Sequence, residues 1–211
     1  MPMPETNNLA LKFFKEKEIF STEEFYNYDS RKKIVVYVPF SKVDLLTMEM
    51  SKAGAGQIGN YDMCSFRTEG TGTFRPNKKA KPFTGKKNIL NYEEEVKLEM
   101  ECSSEQTDKV ISAMLKNHPY DEAAYEIYDF KKRDTKAIGV TIVLKKELTF
   151  GELFKRINRT DLDDELLLKH NIKRPAMVNS DTDETIIESA KFINCDCIIS
   201  QYKKKIKLIL L

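Results

Sequence analysis

Chemistry in this chain has few tools, because only two of its 211 residues are histidines, His118 and His170. His118 lies in NHPYDEAAYEIYDF, just before Pro119 and close to Tyr120, Glu122 and Glu126. Imidazole with carboxylates suits zinc or copper, so His118, Glu122 and Glu126, with Cys64 as a further donor, are the metal candidates. The plainer reading puts His118 at a helix carboxy terminus, where a cation is favoured by the dipole. Because the candidate ligands fall on different elements, a divalent metal is disfavoured and no cofactor is expected. His170 closes the run DLDDELLLKH and reads as a surface residue. Cys195 and Cys197 flank Asp196, so on a strand their side chains would share one face. Burial as small hydrophobes explains that pair more simply than reactivity does. Cys64 or Cys102 would need a paired base to act as a nucleophile, and no histidine is placed to serve. No catalytic residue is assigned.

Glycine marks a second candidate region. Six of the eight glycines fall between Gly54 and Gly85, yet the stretch contains neither GxxxxGK[ST] nor a GxGxxG that opens a helix. Turns and close backbone approach explain Gly54, Gly56, Gly59, Gly70 and Gly72 better than a phosphate cradle. Arg75, Lys78, Lys79, Lys81, Lys86 and Lys87 form a basic stretch with Phe74 and Phe83 interleaved, a pattern that can hold single-stranded nucleic acid. Glu93 to Glu95 follow at once, and the pI of about 8.2 is modest, so a solvated loop is preferred and nucleic acid is disfavoured.

Composition bounds the rest. The chain is 41% hydrophobic and 32% charged with a net charge of +2, which excludes the charge-rich disordered class. No apolar run reaches the roughly 18 to 20 residues of a membrane span. The start, MPMPETNNLALKFF, lacks a basic segment leading into an apolar one, and four cysteines without a CxxC pair form neither a disulfide scaffold nor a zinc site. A soluble cytoplasmic protein is expected, with no membrane partner.

The elements that must position these residues are legible in the patterning. Lys33 to Val38 is β-branched and aromatic and meets Pro39, as a strand would. Ser41 stands where an N-cap belongs, before Val43, Leu46 and Met50 at helical spacing, and that helix should end near Gly54. From Tyr92 to Glu101, Val96, Leu98 and Met100 alternate with charged residues, the pattern of a half-buried strand. Ser103 with Gln106 resembles a capping box ahead of Val110, Ile111, Met114 and Leu115. Ala124 to Phe130 reads as a further strand. The order β-α-β(β)-β-α-β predicts an α+β, ferredoxin-like sandwich with an antiparallel sheet. Four segments follow: a helical lead-in over 1–32 (Leu9, Leu11, Phe13, Phe14), the sandwich over 33–130, a linker and strand over 131–147, and 148–211. The last should open on a Thr149–Glu152 capping box and contain a small βαβ unit with parallel pairing, within Ala176 to Ser200, before a final strand.

The segment AGAGQIGNYDMCSFRTEGTGTFRPNKKAKPFTGK (Ala53 to Lys86), with NHPYDEAAYEIYDF (Asn117 to Phe130), resembles the insert domain of the YqfO-type family. That family is the dinuclear-metal-centre hexamer family related to the yeast NGG-interacting factor three. The same insert resembles the PII and CutA proteins, trimeric ferredoxin-like modules. Residues 8–32, LTFGELFKRI (Leu148 to Ile157) and 173–200 resemble the family's flanking elements more weakly. Full-length members carry an amino-terminal half with a paired-histidine metal motif and, near their end, a histidine and a glutamate ligand. The corresponding SQYKKKIKLILL contains neither, and Asn179-Ser180-Asp181 stands where the family has glycines.

The resemblance therefore implies a shortened relative that keeps the insert domain. Its expected role is a non-catalytic, oligomeric regulatory module, a trimer or larger, binding a small molecule or a protein partner. The alternative it implies is a metal-dependent hydrolase of the GTP-cyclohydrolase type. A small-molecule site should lie in a cleft near Asn60, Cys64, His118, Tyr120 and Glu122.

Overall fold

The computed structural model describes residues 9–157, 169–203 and 205–211. Strand β1 (Ile19–Phe25) begins one compact unit made of residues up to Asp29 and from Lys132 onward, and a second unit, Ser30–Lys131, is inserted into it.

The inserted unit runs β2 (Tyr28–Pro39), α1 (Val43–Lys52), β3 (Phe66–Phe74), β4 (Asn91–Ser103), α2 (Thr107–Asn117) and β5 (Tyr125–Arg133). Its sheet has the order β3-β4-β2-β5, with β4 antiparallel to both β2 and β3, so the unit is a ferredoxin-like α+β sandwich. Period-two patterning selects the faces. Ile34, Val36 and Val38 of β2 and Val96, Leu98, Met100 and Cys102 of β4 join Val43, Leu46 and Met50 of α1 and Val110 and Met114 of α2 in one buried cluster. Each such Leu, Val or Met contributes about 1.5 to 3 kcal/mol by leaving water. Leu115, expected on the same helical face, is exposed instead: the apolar stripe of α2 is narrower than four residues suggest.

Neither serine caps its helix. Phe40–Lys42 and Ser104–Gln106 form 3-10 turns that lead into α1 and α2, and the Val43 and Thr107 N–H groups donate to the Phe40 and Ser104 carbonyls. The backbone thus supplies partners that Ser41 and Ser103 were expected to supply. Ser103 Oγ meets Gln106 Oε1 at 3.2 Å, and the Gln106 amide packs over Gly54. With φ at +112° and no room for a Cβ, Gly54 has to be glycine.

The outer unit continues with β6 (Gly139–Leu144), β7 (Leu148–Thr149), α3 (Phe150–Arg156), β8 (Asn171–Ile172), β9 (Pro175–Val178), α4 (Glu184–Phe192), β10 (Cys197–Tyr202) and β11 (Lys205–Leu210). Its five-stranded sheet is ordered β1-β6-β9-β10-β11. Among the described residues of this sheet only β9 and β10 pair in parallel, across the α4 crossover, as the βαβ reading requires. Thr149 caps α3 through the Glu152 N–H while the Glu152 carboxylate accepts from the Thr149 N–H, the capping box expected from the sequence. Asp183 caps α4 through the Ile186 N–H.

The lead-in departs from a purely helical reading. Ile19–Phe25 is a strand that pairs antiparallel with β6, Phe25 standing opposite Gly139. The inserted unit therefore occupies the place of a hairpin loop between β1 and β6. Leu9 and Phe14 are buried in the outer unit and Leu11 is exposed. The basic stretch after Phe130 is not linker from its start, since Lys131 to Arg133 complete β5. The polar start (1–8) and most of the run preceding His170 (161–168) lie outside the described residues. Among the described residues, no helix is long and apolar enough to cross a bilayer.

Candidate functional site

The inserted unit contains a cleft of about 300 Å³ lined by residues of β2, β3 and β4, the loop after β3, and the segment after α2. Tyr37, Gly72, Phe74, Arg75, Phe83, Glu95, Tyr120, Asp121 and Glu122 are among its walls.

The segment after α2 is fixed by His118. The ring is buried, Nδ1 accepts from the Tyr120 N–H at 3.1 Å, and Nε2 therefore carries the proton it donates to the Tyr37 carbonyl at 3.0 Å. Burial holds its pKa below the usual histidine value, opposed by the Tyr37 hydrogen bond and the nearby Glu95 charge. The expected cation at the helix end is thus a neutral imidazole with both nitrogens engaged, and it has no lone pair left for a metal. His118 also packs edge-on against the Tyr120 ring, centroids 5.0 Å apart.

Tyr120 in turn donates its hydroxyl to Glu95 Oε1 at 2.7 Å. Burial, and then that carboxylate, push the phenol pKa well above its usual value, so it stays protonated and remains the donor. Glu95 stands opposite Gly70 in the β3–β4 register and its side chain leans diagonally over Gly72, where a Cβ would run into the carboxylate. Gly72→Ala should displace Glu95, break its bond to Tyr120 and lower the phenol pKa, with burial, the larger cause, still holding it above its usual value. Because nine tyrosines absorb together, a residue-resolved NMR titration of the Tyr120 ring checks this, and an unchanged pKa would refute the coupling.

The loop after β3 is solvated as expected, with Arg75, Lys78, Lys79, Lys81, Lys86 and Lys87 all exposed, and side-chain hydrogen bonds fix its course. Asn91 accepts from the Lys86 N–H at 2.8 Å and donates to the Lys86 and Ile89 carbonyls at 2.9 and 3.0 Å. Asn77 Oδ1 accepts from the Lys79 and Ala80 N–H groups, and Asp121 accepts from the Lys81 N–H at 3.0 Å. Phe83 comes to rest 6.2 Å from Tyr120, centroid to centroid.

The remaining sequence candidates are elsewhere. Cys64 and Asn60 belong to the loop after α1, where the Cys64 N–H donates to the Gly56 carbonyl and the Gly56 N–H to the Glu101 carbonyl. Glu101 and Glu95 are six positions apart on β4, about 20 Å, so Cys64 stands at the opposite end of the strand from Tyr120. Glu126 lies on β5, accepting from the Tyr37 and Tyr128 hydroxyls, the former at 3.5 Å, and does not line the cleft. Of the expected residues, Tyr120 and Glu122 line the cleft and His118 supports it. Among the described residues no group of three His, Cys, Asp or Glu side chains could hold a metal. The missed residues are Glu95, Gly72 and Tyr37. Their charged or alternating pattern reads as solvent face, and only the β3–β4 register places Glu95 beside glycine.

Cys195 and Cys197 do not share a face. Cys197 packs with Val140, Ile142 and Ile199, and Cys195 with Phe25, Ala190 and Ile198, because Cys195 precedes the strand and escapes its alternation. Burial pushes the Cys195 thiol up to about 12 and raises that of Cys197 as well, so both are inert thiols. His170 is exposed.

No family model matches the chain. It is 38% identical over 140 residues to a GTP cyclohydrolase 1 type 2 homolog of Halalkalibacterium halodurans, covering 66% of this chain and 36% of that protein. The namesake of Listeria innocua is 30% identical over 174 residues, 80% of this chain and 46% of its own length. The chain is a relative of the YqfO-type, NGG-interacting-factor-three-like family. It spans between about a third and a half of the length of these curated family members. A solved Bacillus cereus protein related to NIF3 covers 92% of the chain at 28% identity and a TM-score of 0.46, the chain covering 52% of it. CutA from Synechococcus elongatus covers 52% at 15% identity and a TM-score of 0.36, with 81% of that protein covered.

Proposed function

We propose that this member of the family is a non-catalytic, self-associating module that binds a small ligand or a protein partner at the Tyr120–Glu95 cleft. The observation that carries the reading is the cleft's construction. A buried neutral histidine, a protonated phenol and a glycine beneath a carboxylate hold a concave, part-aromatic wall in place, as a preformed binding site requires. None of these groups is a poised base or nucleophile.

The sheet edges support self-association. β3 and β5 are the outer strands of the inserted sheet, and Phe66 and Tyr128 on them are exposed, so pairing between subunits would satisfy backbone groups and cover apolar surface. The four free thiols agree with a cytoplasmic setting. Light scattering at micromolar concentration should give a trimer or larger, and a clean monomer refutes the assembly.

The relatives' name supplies the second reading, a metal-dependent hydrolase of the GTP-cyclohydrolase type. Such an enzyme holds its ions through several histidines and carboxylates. Elemental analysis of protein purified without chelators separates the two readings: the module carries well under one metal per chain, and near-stoichiometric metal with GTP turnover establishes the hydrolase.

A further inference from the structure

Resting on the reading of this cleft as a ligand site, we infer that its ligand is a small organic cation, a primary or quaternary ammonium. Three carboxylates, Glu95, Asp121 and Glu122, line the cleft against one guanidinium, that of Arg75. Tyr37, Phe74, Phe83 and Tyr120 contribute four aromatic rings to the same wall. Aromatic faces attract ammonium groups, and a neighbouring carboxylate supplies the opposite charge without competing for the ring.

The arrangement of Glu95 sharpens the class. Its carboxylate is held on one oxygen by the Tyr120 hydroxyl and kept over Gly72, so it faces the ligand already positioned, whether or not a ligand is bound. An anion would meet three carboxylates with Arg75 as its one lining cation. The lysines that make the loop basic, Lys78, Lys79, Lys81, Lys86 and Lys87, are not among the described residues lining the cleft. Pro76, Pro82 and the two phenylalanines add apolar surface for the methyl or methylene groups of such a cation. The volume of about 300 Å³ suits a ligand of roughly a dozen heavy atoms or fewer.

The test titrates the full chain calorimetrically with choline, with 3,3-dimethyl-1-butanol and with inorganic phosphate. The alcohol has choline's shape with carbon in place of nitrogen, so it isolates the charge. Choline should bind about tenfold or more tightly than the alcohol, and phosphate should not displace it. Glu95→Gln, which keeps an acceptor for Tyr120, should weaken choline by about tenfold or more, and Glu122→Gln by less. Equal affinity for choline and alcohol, preference for phosphate, unchanged affinity in Glu95→Gln, or no choline binding overturns the inference. In protein that still assembles, any of these removes the cation and leaves the module standing. A monomer removes the module whatever choline does.

Discussion

Phe25→Ala will destabilise the outer unit by about 3 to 5 kcal/mol, the range for deleting a phenyl ring from a packed core. Phe25 ends β1 with 0% of its surface exposed, packed with Ala176, Val178, Ile186, Ala190 and Ile198. These neighbours are strand and helix residues that cannot collapse far into the vacancy, so the cost belongs near the upper end. Phe20, on the same strand but 73% exposed, is the control, and Phe20→Ala should change stability by less than about 0.5 kcal/mol. A chain of two units need not unfold in one step, so residue-resolved hydrogen exchange of the β9 and β10 amides is the measurement. If Phe25→Ala costs under 1 kcal/mol there, β1 is not a structural strand of the outer unit.

His118→Phe will cost the inserted unit about 2 to 4 kcal/mol and will disorder the cleft. The substitution keeps a ring against Tyr120 but strands the Tyr37 carbonyl and the Tyr120 N–H, each costing about 1 to 3 kcal/mol when buried without a partner. Losing that anchor also frees the Tyr120 hydroxyl from Glu95. Acidity gives an independent readout. The folded imidazole titrates below the unfolded value near 6.5, so below that pH the unfolded state binds the extra proton. The wild-type unit therefore holds its full stability from this group above pH 6.5 and loses it as the pH falls toward the folded pKa. In His118→Phe that acid-dependent loss is absent. A variant with the wild-type pH profile would show that His118 is not the titrating group.

Local patterns were readable because their causes are local. The β4 alternation fixed its buried face through the pleat, and Thr149 and Glu152 formed their capping box within a single turn. Ser41 and Ser103 misled for an equally physical reason: a preceding 3-10 turn satisfies the same N–H groups, and residue type does not distinguish it from a cap. β1 went unread as a strand because IFSTEEF has one fully buried residue, Phe25, and its partner β6 lies more than a hundred residues away.

The candidate site divides in the same manner. Tyr120 and Glu122 could be named from the HPYDE motif, whereas Glu95, Gly72 and Tyr37 join them through strand register. Cys64 and Glu126, which the sequence grouped with His118, are separated by the length and edges of the sheet. Residue order alone determined the ferredoxin-like sandwich and its buried faces, because propensity and periodicity act over a few neighbours, and its motifs carried the family resemblance. Tertiary structure decided that His118 is a neutral brace and that Glu95 and Tyr120 build the cleft, because burial and hydrogen bonding between distant strands set both protonation and proximity.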